Sequence, residues 1–458
     1  MKSLNFILKQ HTPIIHFQHL QGGATLRSTE VKSKLDRFLI KEYELVEEVI
    51  IDGKAKKIPK EKSKNLFIND GKQHLALDYK LSFENISNTE KFFLSSFPYS
   101  RNNQTNRKEL VQNDLKAIYV HETQYFANNE NLKPNEIINK DSVKLGLLQD
   151  TIQGKIVTYN SELQEYISTK LESFFLLDNF GSRQSKGFGC YTVKSINGKT
   201  VTFNEEILLE QFAAVYKNAL KVKDIVLALQ EISSIYMLLK SGRGSKSKQG
   251  YKKSLLFRYF VSLSNPVRWE KRILKQNIKR PYFQSRNKSG AYENIELKYT
   301  NDPCYNNSND MNWNDIPSAY NYQYIRALLG LAESYEFATN DIDNFSYKYY
   351  IKVKSNNGIE RFKSPITIKY IDGAIYFCAN GIDSCILNNA ENPVSFNFDK
   401  KLKKDNALQS GRDNETLDFV QNLETPSSFN IGDFLDFAFN RDDEKISNMT
   451  LLKNSLLK

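Results

Sequence analysis

A chain of 458 residues with 64 Lys plus Arg against 53 Asp plus Glu carries a net charge of +11 and has a pI near 9.1. No apolar run approaches the roughly twenty residues of a membrane span, and Cys190, Cys304, Cys378 and Cys385 are too scattered for a zinc site or a disulfide framework. The chain reads as a cytoplasmic protein of a reducing compartment, long enough for three ordinary domains or two enlarged ones.

Leu4, Phe6 and Leu8 alternate as in a half-buried strand, Gly22 and Gly23 break the chain, and Ser28 or Thr29 is placed to cap a helix. That helix carries Val31, Leu35, Phe38 and Leu39 inward; Lys32, Lys34, Arg37 and Lys41 occupy its other face, which is ordinarily a solvated one. Strand patterning follows at Leu75, Leu77, Tyr79, Leu81 and Phe83 and again near Ile118. Leu163, Ile167, Leu171, Phe174 and Phe175 then recur at helical spacing, and Phe188, Tyr191 and Val193 open a strand.

Between that helix and that strand lies GSRQSKGFG, residues 181–189. Gly181, Gly187 and Gly189 let backbone N–H groups turn toward an anion that no Cβ holds off, and Arg183 and Lys186 add charge that a plain turn does not require. The other reading is a helix-to-strand turn. The order of strands, helices and loop fits a ferredoxin-like α+β domain over residues 1–203.

Residues 205–240 read as one long helix, with Asn204 as its cap and Leu208, Phe212, Val215, Ala219, Val222, Val226 and Leu229 along its packed face. It is the expected join to a second region, residues 204–458. The basic segment 240–288 holds fifteen Lys or Arg and one acidic residue, Glu270, so it carries +14 while the remainder of the chain sums to −3. Tyr251, Phe257, Tyr259, Phe260, Trp269, Tyr282 and Phe283 are threaded through it. Such a mixture suits phosphate neutralisation together with base stacking, unless the aromatics pack in a core. Within it, SGRGSKSKQG (241–250) is either a second phosphate loop or a connector. Polar loops follow at 300–315 and 400–416, a helix holds Ala327, Leu328 and Leu331, and strands are expected at 346–353 and 364–378, the latter folding back at Asp372-Gly373. A second, degenerate ferredoxin-like unit is consistent with this order.

Two segments carry a family resemblance. TLRSTEVKSKLDRF (25–38) has Leu-Arg before a spacer, a basic residue and a helix ending in Phe, and GSRQSKGFG has the order Gly, Arg, basic, Gly, Phe, Gly. Together they resemble the RAMP superfamily of CRISPR effector subunits, and within it the two-domain first subunit of the Cmr (type III-B) effector complex. RFKSPITIKY (361–370) is similar to an Arg-x-x-Ser-Pro segment of such proteins, whereas Ser33 and Asp36 stand where the family often has glycine and a basic residue. The resemblance implies two ferredoxin-like (RRM-like) RAMP domains with insertions. It also implies a role in antiviral defence as an RNA-binding subunit that contacts guide RNA, its target RNA duplex and other RAMP subunits, without cleavage and without a cofactor.

The expected RNA-binding residues are Arg183 and Lys186 with Gly181, Gly187 and Gly189 in the loop, Arg27 and Lys32 on the first helix, and Lys246, Lys252 and Lys253 as a second anchor. The alternative is a RAMP endoribonuclease that processes guide precursor or cuts target RNA, with His16 as general base. His16 alternates with Ile15 and Phe17 in a strand-like run beside His11 and His19, which favours a structural histidine. Asp70 and Asp114 sit in loops with no motif around them, and no Walker loop, zinc-protease helix, hydrolase triad or paired metal carboxylates is present.

Overall fold

The computed structural model describes residues 2–15, 25–51, 53–72, 74–95, 99–101, 108–110, 116–119, 145–244, 251–264, 267–270, 274, 284–286, 292–294, 322–331, 334–338, 347–404, 422–440, 446 and 449–457. They fall into two compact units. The first comprises residues 1–233, 367–378 and 450–453, and the second 234–366, 379–449 and 454–458.

Apolar alternation in the first unit becomes a strand, β1 (Lys2–Gln10), followed by α1 (Ser28–Glu42), β2 (Lys80–Asn85), β3 (Thr151–Thr158), α2 (Ser161–Leu177), β4 (Tyr191–Ile196) and the short β5 (Lys199–Thr200). The sheet order is β5-β4-β1-β3-β2, with every pairing antiparallel. Among the four strands that enclose the two helices, the last and third thus flank the first. Because side chains alternate across a sheet, Leu4, Phe6, Leu8, Ile152, Ile156 and Val193 face one way and join Val31, Leu35 and Leu39 of α1 and Leu163, Ile167, Leu171, Phe174 and Phe175 of α2 in one core. Each fully buried side chain of this kind contributes about 1.5–3 kcal/mol.

The two helices begin differently. Asn160 caps α2, its Oδ1 accepting from the Leu163 N–H at 3.1 Å. Neither Ser28 nor Thr29 plays that part for α1, whose preceding residue, Arg27, is extended and makes no side-chain cap bond. A β-bulge between Ile7 and Leu8 leaves Lys194 without an opposite residue on β1.

The long helix expected over 205–240 is not formed. The chain instead makes α3 (Glu206–Gln211), the strand β6 (Ala214–Asn218) and α4 (Ile225–Lys240), with residues 225–233 in the first unit and 234–240 in the second. Ala214, Val215 and Tyr216 are all fully buried, so this run is apolar because β6 lies inside a sheet, flanked by β8 (Ala374–Ala379) and β9 (Met449–Asn454). Buried helix and buried strand share such a composition over a few residues. The expected hairpin is present: β7 (Ile366–Ile371) pairs with β8, and Asp372 and Gly373 both take positive φ, 48° and 89°, as a two-residue turn of that kind requires.

In the second unit, the strands Ser334–Ala338, Tyr347–Ser355, Ser395–Lys404 and Asn422–Glu424 form an antiparallel sheet. Ala327 and Leu328 lie in a 3₁₀ turn, Ile325–Leu329, with Leu331 beyond its end. The helix Leu255–Ser262 sets Tyr259 and Phe260 against Phe429 and Phe434, and Phe257 is equally buried. Three aromatics of the basic segment are therefore core residues and not stacking platforms.

Candidate nucleic-acid interface

The glycine loop is closed on itself. An antiparallel bridge joins Asn179 to Cys190, and the Phe180 N–H donates to the Gly189 carbonyl at 2.9 Å. The Ser182 N–H donates to Ile15 O at 2.7 Å and the Gly189 N–H to Pro13 O at 3.0 Å. Gly181, Arg183, Gly187 and Gly189 all have positive φ. A Cβ on Gly189 would collide with the Phe180 carbonyl, and one on Gly181 would lie 2.7 Å from Ile15 O. The close approach these two glycines permit is thus to the protein's own carbonyls, and Gly187 borders Ile232 and Ile368 in a buried position.

Helix α1 clamps this loop. Lys34 Nζ donates to the Asn179 carbonyl at 2.6 Å and to Gln184 Oε1 at 2.9 Å, and it lies 4.7 Å from the centre of the Phe180 ring. Glu30 Oε1 accepts from the Gly181 N–H at 2.9 Å and from Gln184 Nε2 at 3.2 Å. Asn179 Nδ2 donates to Gln184 O at 2.6 Å and to Ile368 O at 2.9 Å. Lys369, fully buried, donates to the Phe175 and Asp178 carbonyls at 3.1 and 2.6 Å, satisfying the end of α2. Residues of 25–38, the loop 181–189 and the pair Ile368 and Lys369 therefore meet at one place within the first unit. Lys34 and Lys369, which hold it together, had no sequence signal beyond their charge.

The expected RNA-binding residues have different environments. Arg183 and Lys186 lie on the half-buried rim of the loop, separated by one 3₁₀ turn. Arg27 is half-buried at the start of α1. Lys32 is held inward: its Nζ donates to Asp36 at 2.9 Å and to Leu77 O at 2.8 Å and sits 3.9 Å from the centre of the Tyr79 ring. Asp36, placed where the resemblance favours a basic residue, is the partner that fixes Lys32. Burial raises its carboxyl above the ordinary range while Lys32 pulls it back.

Lys253 is buried and lies 5.5 Å from the centre of the Phe257 ring, so it does not present its charge to a ligand as expected. Lys252 pairs through its backbone with Arg243 in a short antiparallel ladder, and Lys246 lies outside the described residues. His16, His19 and Asp114 also lie outside them, and Asp70 sits at a left-handed kink.

Two further titratable clusters are well defined. His11 Nε2 lies 2.8 Å from Thr192 Oγ1, and its Nδ1 is 3.6 Å from Asp372, which also pairs with Lys9 at 2.6 Å. Burial pushes the His11 imidazole down to about 4, with Asp372 working in the opposite sense. In the second unit, Lys240 donates to Leu329 O at 3.1 Å and Gly330 O at 2.5 Å. Burial first and Arg326 second bring its ammonium down to about 7, and Arg326 is paired with the buried Glu270. Among the described residues no group of three His, Cys, Asp or Glu could hold a metal ion, and no helix is long and apolar enough to cross a membrane.

The family profile for the Cmr1 N-terminal domain matches residues 1–243, and that for the Cmr1 C-terminal domain matches residues 251–457. The chain belongs to the Cmr1 family. Among solved structures it is similar to the crystal structure of Cmr1 from Pyrococcus furiosus in its apo form, at 10% identity and a TM-score of 0.38, over 99% of this chain and 100% of that one. It is also similar to a chain in the cryo-EM structure of the type III-B Cmr-beta bound to cognate target RNA, at 8% identity and a TM-score of 0.23, over 43% of this chain and 59% of that one. No curated protein matches it. The two segments that carried the sequence resemblance, 25–38 and 181–189, are thus the ones that pack together at the glycine loop of this Cmr1-family chain.

Proposed function

We propose that this chain is a non-catalytic RNA-binding subunit of a type III-B CRISPR effector complex, contacting guide RNA and its target duplex beside other RAMP subunits. Membership of the Cmr1 family supports the assembly. The observation that carries the binding role is the way helix α1, Ile368 and Lys369 hold the loop 181–189 and the end of α2 in one arrangement, with Arg183 and Lys186 on the loop's rim. A rigid loop loses little freedom when it grips a phosphate, so its two charges are already in place. The sheet order last-first-third-second around two helices supports reading the first unit as ferredoxin-like.

Contacts of this type set register on the RNA without reading bases. The test is RNA affinity at two salt concentrations for Arg183→Glu with Lys186→Glu. We expect a melting temperature close to that of the parent chain, with RNA binding weakened roughly tenfold or more at low salt. Unchanged affinity would remove the loop from the interface. Incubating the purified chain with labelled guide precursor and target RNA should leave both intact; cleavage at a defined position would favour the endoribonuclease reading.

A further inference from the structure

The face of the first sheet that the helices do not cover is exposed at Asn5, Lys80, Ser82, Glu84 and Lys155 and half-buried at Ile7, Gln153 and Val157. Its outward residues are set by register: Asn5 is opposite Lys155, which is opposite Ser82, and Ile7 is opposite Gln153, which is opposite Glu84. Lys80 is opposite Val157 on the same face, and Lys194 is the extra residue of β4 at the β-bulge. Lys9 is neutralised by Asp372. By contrast Lys80, Lys155 and Lys194 are exposed, and among the described residues none of their side chains has an ion pair or hydrogen bond. The side-chain amides of Asn5 and Gln153 are likewise uncommitted among the described residues. Two positions beyond Val157, at the end of β3, stands Tyr159, 79% exposed, the most exposed large apolar side chain among the described residues.

We infer that this open sheet face, with Lys80, Lys155, Lys194, Asn5, Gln153 and Tyr159, is a second RNA-binding surface that takes single-stranded RNA. The inference rests on the RNA-binding reading above and adds a site to it. Uncommitted lysines supply phosphate contacts, amides reach base edges or ribose hydroxyls, and an exposed ring at the rim offers one base a stacking partner. A protein partner is disfavoured because lysine is depleted from the cores of protein interfaces, where aromatic and aliphatic residues concentrate. The only outward aliphatics here, Ile7 and Val157, are half-buried between polar neighbours. A duplex is disfavoured because its bases are already stacked and leave Tyr159 nothing to cover.

The experiment measures binding of a fluorescent oligouridylate to the full chain by anisotropy across a salt series. Changing Lys80, Lys155 and Lys194 together to Ala should weaken binding roughly thirtyfold at low salt and flatten the dependence of log K on log salt by about two, at roughly 0.7 per lost contact. Tyr159→Ala should weaken it about tenfold with the slope unchanged, and Tyr159→Phe should restore it, because stacking needs the ring and not the hydroxyl. If these variants bind like the parent chain while the Arg183 and Lys186 reversal weakens binding, the sheet face is not an RNA surface and the loop reading survives. If the parent chain binds no RNA at any salt, the broader reading falls and this inference with it. Normal RNA binding with loss of co-elution of other subunits would overturn the inference in favour of a protein contact.

Discussion

Lysines on α1 and lysines on the open sheet face look alike in a composition count and behave oppositely in the structure. Lys32 and Lys34 turn inward, one to Asp36 and the Leu77 carbonyl, the other to Asn179 and Gln184. Lys80, Lys155 and Lys194 meet no protein partner among the described residues. Helix α1 thus uses its lysines to fix neighbouring backbone, including that of the glycine loop, whereas the sheet face keeps its lysines turned to solvent.

The sharpest way to break that division is at the loop's tightest point. Gly189→Ala forces a Cβ into the Phe180 carbonyl at a positive φ of 65°, and should destabilise the fold by about 4 kcal/mol in denaturant unfolding. Gly198→Ala, at φ 78° with nothing within 4 Å of the added Cβ, should cost only about 1 kcal/mol, so the gap between the two isolates the steric term. If the two cost the same, loop closure is not what Gly189 provides.

A second comparison sets Lys34→Met against Lys155→Met. The first leaves the Asn179 carbonyl and Gln184 without their donor and should cost about 2 kcal/mol. The second should stay within about 0.5 kcal/mol, as exposed substitutions do. Equal costs in thermal and denaturant unfolding would erase the distinction between inward and outward lysines.

An effect confined to low pH concerns a covered corner of the outward face, where Lys9, His11 and Asp372 meet. His11 has a folded pKa of about 4 against an ordinary 6.5, so the unfolded chain binds more protons between those values. Its contribution is complete above pH 6.5 and is lost as pH falls toward 4, about 2 kcal/mol by pH 5. A melting series from pH 7 to pH 5 should therefore slope downward, and His11→Gln should flatten it.

Much of the first unit was legible from periodicity. The core faces of β1, α1 and α2 follow directly from apolar spacing, and the turn at Asp372-Gly373 from its residue pair. Val215 misled because burial on both sides of β6 gives a run of apolar residues that a helical count also accepts. The loop's location was legible and the duties of its glycines were not, since Gly189 takes its meaning from a closure onto Phe180 that spacing does not reveal, and Gly181 from Ile15, far away in sequence. Lys34 was equally opaque: a lysine on a helix's polar side has the same pattern whether it faces water or a carbonyl some 145 residues onward. The aromatics of 240–288 read as stacking candidates because charge surrounds them, yet Tyr259 and Phe260 are claimed by Phe429 and Phe434 from much later in the chain.

The first unit is assembled from three stretches of chain, the last being residues 450–453. During synthesis it cannot close when its first 233 residues have emerged, because β6 still lacks both neighbours and Lys369 has not been made. At ribosomal rates of about 5–20 residues per second the wait for residue 450 is roughly 10–40 s. During that interval an apolar central strand has both edges open, so the nascent chain depends on whatever shields it, and a fragment ending near residue 243 would carry the same exposed edges permanently.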